Sequence, residues 1–270
     1  MFFDTHAHLM MGEFSEDLDQ VLLRASEKGI TGIINVAYDL NSSRSAAQDF
    51  IKYPYIYAAC GIHPHDANNI SDKDYKVLET LLQMKNVVAV GETGLDYHYM
   101  KSDKDAQKKA LRSHIELAIK YDKPLIFHVR EAEDDAWDVI SSYKNITGVF
   151  HCFASSADFA RKALDRGFYI SFTGVITFPK AQDSRDIAKI VPMDKILIET
   201  DAPYLAPVPM RGKPRRFPTM LSGQGKCRGK RNEPAYVTYV AEQIANIKGM
   251  ALDEVAQQTY RNAKALFKIS

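Results

Sequence analysis

Short apolar runs recur along the chain, and between them lie longer stretches whose apolar residues return every three or four positions. The runs at 1–5, 31–37, 55–61, 87–91, 124–127, 148–150, 168–172 and 195–199 are rich in Val, Ile, Phe and Tyr. They lack strict alternation, as strands covered on both faces do. The stretches between them read as amphipathic helices. One over 15–28 opens on Ser15 and stops at Gly29, a helix cap and a helix terminator. The longest, 103–121, carries Leu111, Ile115, Ala118 and Ile119 at helical spacing. Another spans 156–166 before Gly167. Asn232 stands where it would cap a helix opening Glu233-Pro234, and a final helix covers about 252–267.

Eight strands alternating with helices predict an α/β fold, a (β/α)8 TIM barrel in a single domain over 1–270. An open doubly wound sheet is the alternative, but no G-x-G-x-x-G follows the first strand. One stretch breaks the rhythm. Arg211 to Arg231 reads RGKPRRFPTMLSGQGKCRGKR, with eight basic residues and no acidic one. It follows the last strand and reads as a basic insertion loop within 206–231.

Composition changes this picture little. The chain is 270 residues long, 46% hydrophobic and 26% charged, with net charge +1, so any polyanion-binding surface must be local. Cys60, Cys152 and Cys227 form no C-x-x-C pair and read as reduced thiols. No apolar run approaches a membrane span, and the first strand leaves no room for a signal peptide. A cytoplasmic protein without a membrane partner is expected, and nothing demands more than a monomer.

Chemistry in such a barrel sits at the C-terminal ends of the strands. Six of the eight histidines fall there: His6 and His8 after strand one, His63 and His65 after strand three, His128 after strand five, His151 after strand six. On a strand, residues two apart share a face, so His6 and His8 make half of a metal site. Glu92 follows strand four, with Asp96 beyond it. Glu199 and Asp201 close strand eight. His98 lies just outside the group, and His114 falls mid-helix, where packing explains it. Mixed imidazole and carboxylate ligands suit Zn2+, Mn2+ or Mg2+.

The strings FFDTHAHL, GIHPHDA, VAVGETGLDY, PLIFHVREA, GVFHCF, YISFTGVITF, KILIETDAPYL and RNEPAYV resemble the TatD family of metal-dependent deoxyribonucleases, within the amidohydrolase-like barrels. The likeness runs nearly end to end. It implies two divalent metal ions (Mg2+, Mn2+ or Zn2+). His6, His8, Glu92 and Asp201 would hold one. Glu92, His128 and His151 would hold the other, with Glu92 bridging. Some relatives lack the first histidine pair. The family's compact segment reads like RGKRNEP; here RGK begins at Arg211 and again at Arg228, seventeen residues later, so two alignments stand open.

The resemblance implies hydrolysis of DNA phosphodiester bonds by a two-metal, metal-activated-water mechanism, with 3′–5′ trimming of single strands or 3′ ends. Asp201 is the expected proton acceptor, and Glu92 would fix the metal spacing. His63, His65 and Arg130 are candidates for holding the scissile phosphate. A side-chain-bonded turn is the competing account of His63 and His65. Barrels of this larger class also hydrolyse lactones, amides and phosphoesters of small molecules, and many of those bridge their metals with a carboxylated lysine where this chain has Glu92. The basic insertion leaves the same end of the barrel and would bring its cations to a phosphate backbone, with Phe217 and Tyr204 placed to stack on a base. Shortening the insertion is expected to weaken DNA binding and flatten its salt dependence. Unchanged affinity and salt slope in a salt titration would remove the loop from this role.

Overall fold

A computed structural model describes residues 1–212 and 231–270. The expected basic insertion falls mostly in 213–230, including Phe217 and the second RGK, and so lies outside the described residues. The strands are β1 (Phe2–Ala7), β2 (Ile30–Val36), β3 (Ile56–Cys60), β4 (Val87–Asp96), β5 (Leu125–Arg130), β6 (Gly148–Phe150), β7 (Tyr169–Phe172) and β8 (Ile196–Ile198). They pair in parallel in sequence order, β1 to β8. The helices are α1 (Leu18–Glu27), α2 (Leu40–Gln48), α3 (Asp72–Leu82), α4 (Lys104–Lys120), α5 (Glu133–Ser141), α6 (Ala157–Asp165), α7 (Gln182–Ile190), α8 (Val237–Lys248) and α9 (Leu252–Phe267). This is the (β/α)8 barrel that the alternation of elements predicts. Among the described residues, no helix is long and apolar enough to cross a membrane.

Closure between β1 and β8 runs through the segment that follows β8. The Asp201 N–H donates to the His6 carbonyl at 2.8 Å, and the His8 N–H to the Ala202 carbonyl at 2.8 Å. Asp4, fully buried, accepts from the Thr200 N–H (2.9 Å) and the Thr200 hydroxyl (2.6 Å). The closing bonds therefore tie the first and last strands together through the residues that flank His6, His8 and Asp201.

Two apolar layers hold the barrel. Phe3, Ile34, Val36, Ala59, Ile126, Val149 and Leu197 come from six different strands yet pack in one cluster, which only a barrel interior permits. Leu266 and Phe267 of α9 join that cluster. The second layer joins strand residues such as Phe127 and Phe150 to helix residues such as Leu111, Ile115 and Phe159.

Several element ends differ from expectation, and the differences matter at the rim. β4 continues to Asp96, five residues past the predicted end, and β5 continues to Arg130. The extension needs a close approach of the two strands. A Cβ on Gly94 would lie 1.8 Å from the His128 carbonyl oxygen, and Gly94 has φ +150, so only glycine fits beside His128. Helix α1 begins at Leu18, and the Ser15 hydroxyl bonds the Gly12 carbonyl (2.7 Å) instead of capping α1. Asn232 is not a helix cap either. A short 3-10 turn (Pro234–Tyr236) precedes α8, and Asn232 Nδ2 donates to the carbonyls of Thr200 (2.8 Å) and Tyr204 (2.6 Å). Its side chain thus pins the loop that carries Asp201.

Candidate metal centre

The strand ends bring the predicted residues to one point, the Glu92 carboxylate. Its Oε1 lies 2.7 Å from His151 Nε2, 2.9 Å from His128 Nδ1 and 3.6 Å from His63 Nε2. Its Oε2 lies 3.4 Å from His6 Nε2. The two oxygens of one carboxylate therefore face two different groups of imidazoles. Asp201 sits on the His6 side, its Oδ1 3.3 Å from His8 Nε2 and 3.8 Å from His6 Nε2. β1 contributes His6 from inside the strand and His8 from one residue beyond it, their rings 4.9 Å apart. The His6 ring also stacks on His151 at 4.2 Å.

Hydrogen bonds on the outer nitrogens orient the imidazole rings. His8 Nδ1 lies 2.7 Å from the Val36 carbonyl, which can only accept, so Nδ1 carries a proton and Nε2 is the nitrogen turned toward Asp201. His128 lies between two carboxylates, its Nε2 3.1 Å from Asp96 Oδ2 and its Nδ1 2.9 Å from Glu92 Oε1. His63 is the reverse of His8. Its Nδ1 accepts the His65 N–H at 3.1 Å, so its Nε2 carries the proton and points a donor at the centre. His63 thus combines the side-chain-bonded turn with a place in the centre. His65 Nε2 is 3.1 Å from Asp96 Oδ2, and His151 Nδ1 faces Glu199 Oε1 at 3.3 Å. Glu199 Oε1 also accepts the Cys152 N–H at 2.7 Å, so this buried carboxylate supports His151 from the interior side.

The donor set fits a divalent cation. His6 is fully buried, and neither of its ring nitrogens has a hydrogen-bond partner. An unsatisfied buried imidazole is costly unless something with positive charge takes its lone pair. Ligand atoms of His6, His8 and Glu92 converge closely enough to hold one ion, and those of His63, Glu92 and His128 also converge. The His63 tautomer makes it a hydrogen-bond donor and not a ligand in the second group. Burial works to raise the Glu92 carboxyl, but the His151 and His63 imidazoles outweigh it and hold Glu92 well below the usual carboxylate range.

Arg130 stands apart from the carboxylates. It is exposed at the rim, its guanidinium 4.9 Å from the centre of the Tyr99 ring, and Tyr99 in turn packs edge-on against His65. Tyr204 follows Asp201, 6.2 Å from the His8 ring. Arg231, one of the eight cations of the basic stretch, forms a bidentate pair with Asp17 at 2.7 and 2.6 Å and lies over Phe14. That pairing holds Arg231 against the segment following β1.

The family described as TatD related DNase matches residues 3–268. The chain belongs to that family. It is a metal-dependent hydrolase of the TatD type. It is 40% identical over 272 residues to a protein of Bacillus subtilis (strain 168) named uncharacterized metal-dependent hydrolase YabD, covering 100% of both chains. It is 30% identical over 270 residues to the 3′-5′ ssDNA/RNA exonuclease TatD of Salmonella typhimurium, covering 99% of each. The crystal structure of YJJV, a TatD homologue from Escherichia coli K12, superposes with a TM-score of 0.85 at 28% identity, over 100% of this chain and 98% of that one.

Two residues of this TatD barrel have larger duties than the sequence assigned them. Asp96 lies in the GETGLDY string, but its place at the centre depends on the extended β4. His114 is the mid-helix histidine read as a packing residue. It is fully buried on α4, its Nδ1 bonded to the Ala110 carbonyl (2.7 Å) and its Nε2 accepting the Ile62 N–H (3.0 Å). It thereby fixes the residue next to His63. Burial pushes the His114 pKa down from 6.5 to about 4. Protonation is then harder in the folded protein than in the unfolded chain. The contribution to stability is full above about pH 6.5 and falls as the pH drops toward 4. Urea denaturation between pH 7 and pH 4.5 should show a loss of up to about 3 kcal/mol that His114→Gln removes. Equal pH slopes in the two proteins would contradict this assignment.

Proposed function

We propose that the protein is a metal-dependent deoxyribonuclease that hydrolyses phosphodiester bonds of DNA, acting on single strands or 3′ ends in the 3′–5′ direction, with two divalent cations (Mg2+, Mn2+ or Zn2+). The family description and the name of the Salmonella relative support the substrate. The observation that carries the two-metal reading is the Glu92 carboxylate, whose Oε2 faces His6 and whose Oε1 faces His128 and His151. On this reading His6, His8, Glu92 and Asp201 hold one ion; Glu92, His128 and His151 hold the other. Two cations so placed supply Lewis acidity to the attacking and leaving oxygens and acidify a water.

The chain's own groups do the rest. Asp201 is the more open of the two carboxylates, its side chain 14% exposed against 4% for Glu92. His6 and His8 both face its Oδ1, which leaves Oδ2 to take the proton of the attacking water. Glu92 cannot take that part, because imidazoles surround both of its oxygens. His63 donates its Nε2–H to a phosphoryl oxygen. His65 stands beside His63 and spends its Nε2–H on Asp96. Arg130, further out on Tyr99, meets a neighbouring phosphate as a guanidinium donor.

Incubation with labelled single-stranded DNA and Mg2+ or Mn2+ tests the reading. Progressive shortening that a chelator stops is expected, and Asp201→Asn should slow it by about 10²- to 10⁴-fold. A folded, metal-loaded protein that leaves DNA intact would overturn the assignment.

A further inference from the structure

The turn that follows β4 leaves two large apolar side chains in solvent at the mouth of the centre, Tyr99 (54% exposed) and Met100 (44%). Single exposed apolar residues are ordinary on a protein surface, and Leu23, Ile119 and Ile190 on helices α1, α4 and α7 are of that kind. Tyr99 differs because it is held in place and joined to the site. Its N–H donates to Asp96 Oδ1 at 2.8 Å, and the Gln107 side chain of α4 bonds both the N–H and the carbonyl of Asp96 (2.8 and 3.2 Å). Its ring meets that of His65 edge-on at 5.5 Å.

A row of groups therefore leads outward from the Glu92 carboxylate. His63 Nε2 lies 3.6 Å from Glu92 Oε1, and the His65 ring lies 4.2 Å from that of His63. Tyr99 comes next, with the Arg130 guanidinium over its ring at 4.9 Å. Among the described residues Arg130 has no carboxylate partner. The neighbouring Glu131 turns to His98 instead, its Oε1 2.7 Å from Nδ1. The row thus ends in an aromatic ring and an uncommitted cation side by side. A nucleotide carries the complementary pair, a flat base and an anionic phosphate.

We propose that Tyr99 is a substrate-positioning residue, a stacking platform for the base of the nucleotide next to the scissile phosphate. Arg130 covers part of the ring and meets that nucleotide's other phosphate; the exposed remainder of the ring takes the base. The inference rests on the nucleic-acid reading above and adds which part of the substrate the rim reads. A base inside a duplex has both faces covered by its neighbours, so the platform favours unpaired strands and frayed ends. Every base has a π-face, so it selects no sequence.

Kinetics on single-stranded oligonucleotides with Mn2+, and binding of the same strands by chelator-treated protein, test the proposal. Tyr99→Ala should raise KM and weaken metal-free binding by about 5- to 150-fold, with kcat little changed. Tyr99→Phe should match the wild type, and Tyr99→Leu, apolar but not aromatic, should follow the alanine variant. A strand whose last 3′ nucleotides lack bases separates stacking from loss of the contacts that Tyr99 makes with His65 and Arg130. Wild type and Tyr99→Ala should bind and cleave that strand alike, because ring and base act as a pair. Equal KM for wild type and Tyr99→Ala on the ordinary strand would overturn the proposal. So would an equal loss on ordinary and abasic strands, or wild-type KM in Tyr99→Leu. Binding that depends on Tyr99 without any cleavage would overturn the nuclease assignment and leave the platform standing; cleavage indifferent to Tyr99 would do the reverse. A protein that neither binds nor cleaves single strands would overturn both.

Discussion

A carboxylate buried among imidazoles sets the terms for this barrel's rim. Glu92 is 3% exposed, and burial alone would drive it toward its neutral form. The histidines of β1, β3, β5 and β6 surround it and hold it ionised. Those histidines then need their own orientation, because an imidazole with a misplaced proton turns an acceptor into a donor. Val36 supplies it for His8 through its carbonyl, Asp96 for His128, and the His65 N–H for His63. The result is a set of imidazoles with fixed directions around a buried charge. Such a cluster is an uncomfortable place for an anion alone and a suitable one for cations.

The scaffold meets this demand by putting its least regular backbone where the chemistry is. β4 and β5 both run on past the helix-covered wall, and Gly94 lets them approach beside His128. β1 and β8 are joined through Asp4, Thr200 and the backbone of Asp201 and Ala202. His6 and Asp201 face each other because the barrel closes there. Barrel closure and site assembly are in this respect the same set of contacts.

Much of this was legible in the sequence, for identifiable reasons. The strands are short, apolar and regularly spaced, so alternation with helices carries the fold. The histidines and carboxylates sit immediately after those strands, and a barrel brings strand ends to one rim whatever the sequence distance between them. That is why residues as far apart as His6 and Asp201 could be grouped before any geometry was at hand. Hydrogen-bond partners were not legible, because they depend on orientation and not on position along an element. Asp96 lay past the predicted end of strand four. His114 had the pattern of a packing residue, and only the fold brings Ile62 to it. Asn232 preceded a proline in the manner of a helix cap, yet its amide spans the Thr200 and Tyr204 carbonyls. Arg231 read as one more cation in a basic run, but Asp17 was waiting on a neighbouring element.

The central claim is that one carboxylate is shared between two metal positions. Anomalous diffraction from crystals grown with Mn2+ tests it most directly. Two peaks should flank Glu92, one within ligand reach of Oε2, His6, His8 and Asp201, the other within reach of Oε1, His128 and His151. A single peak, or two peaks that do not have Glu92 between them, would contradict the account.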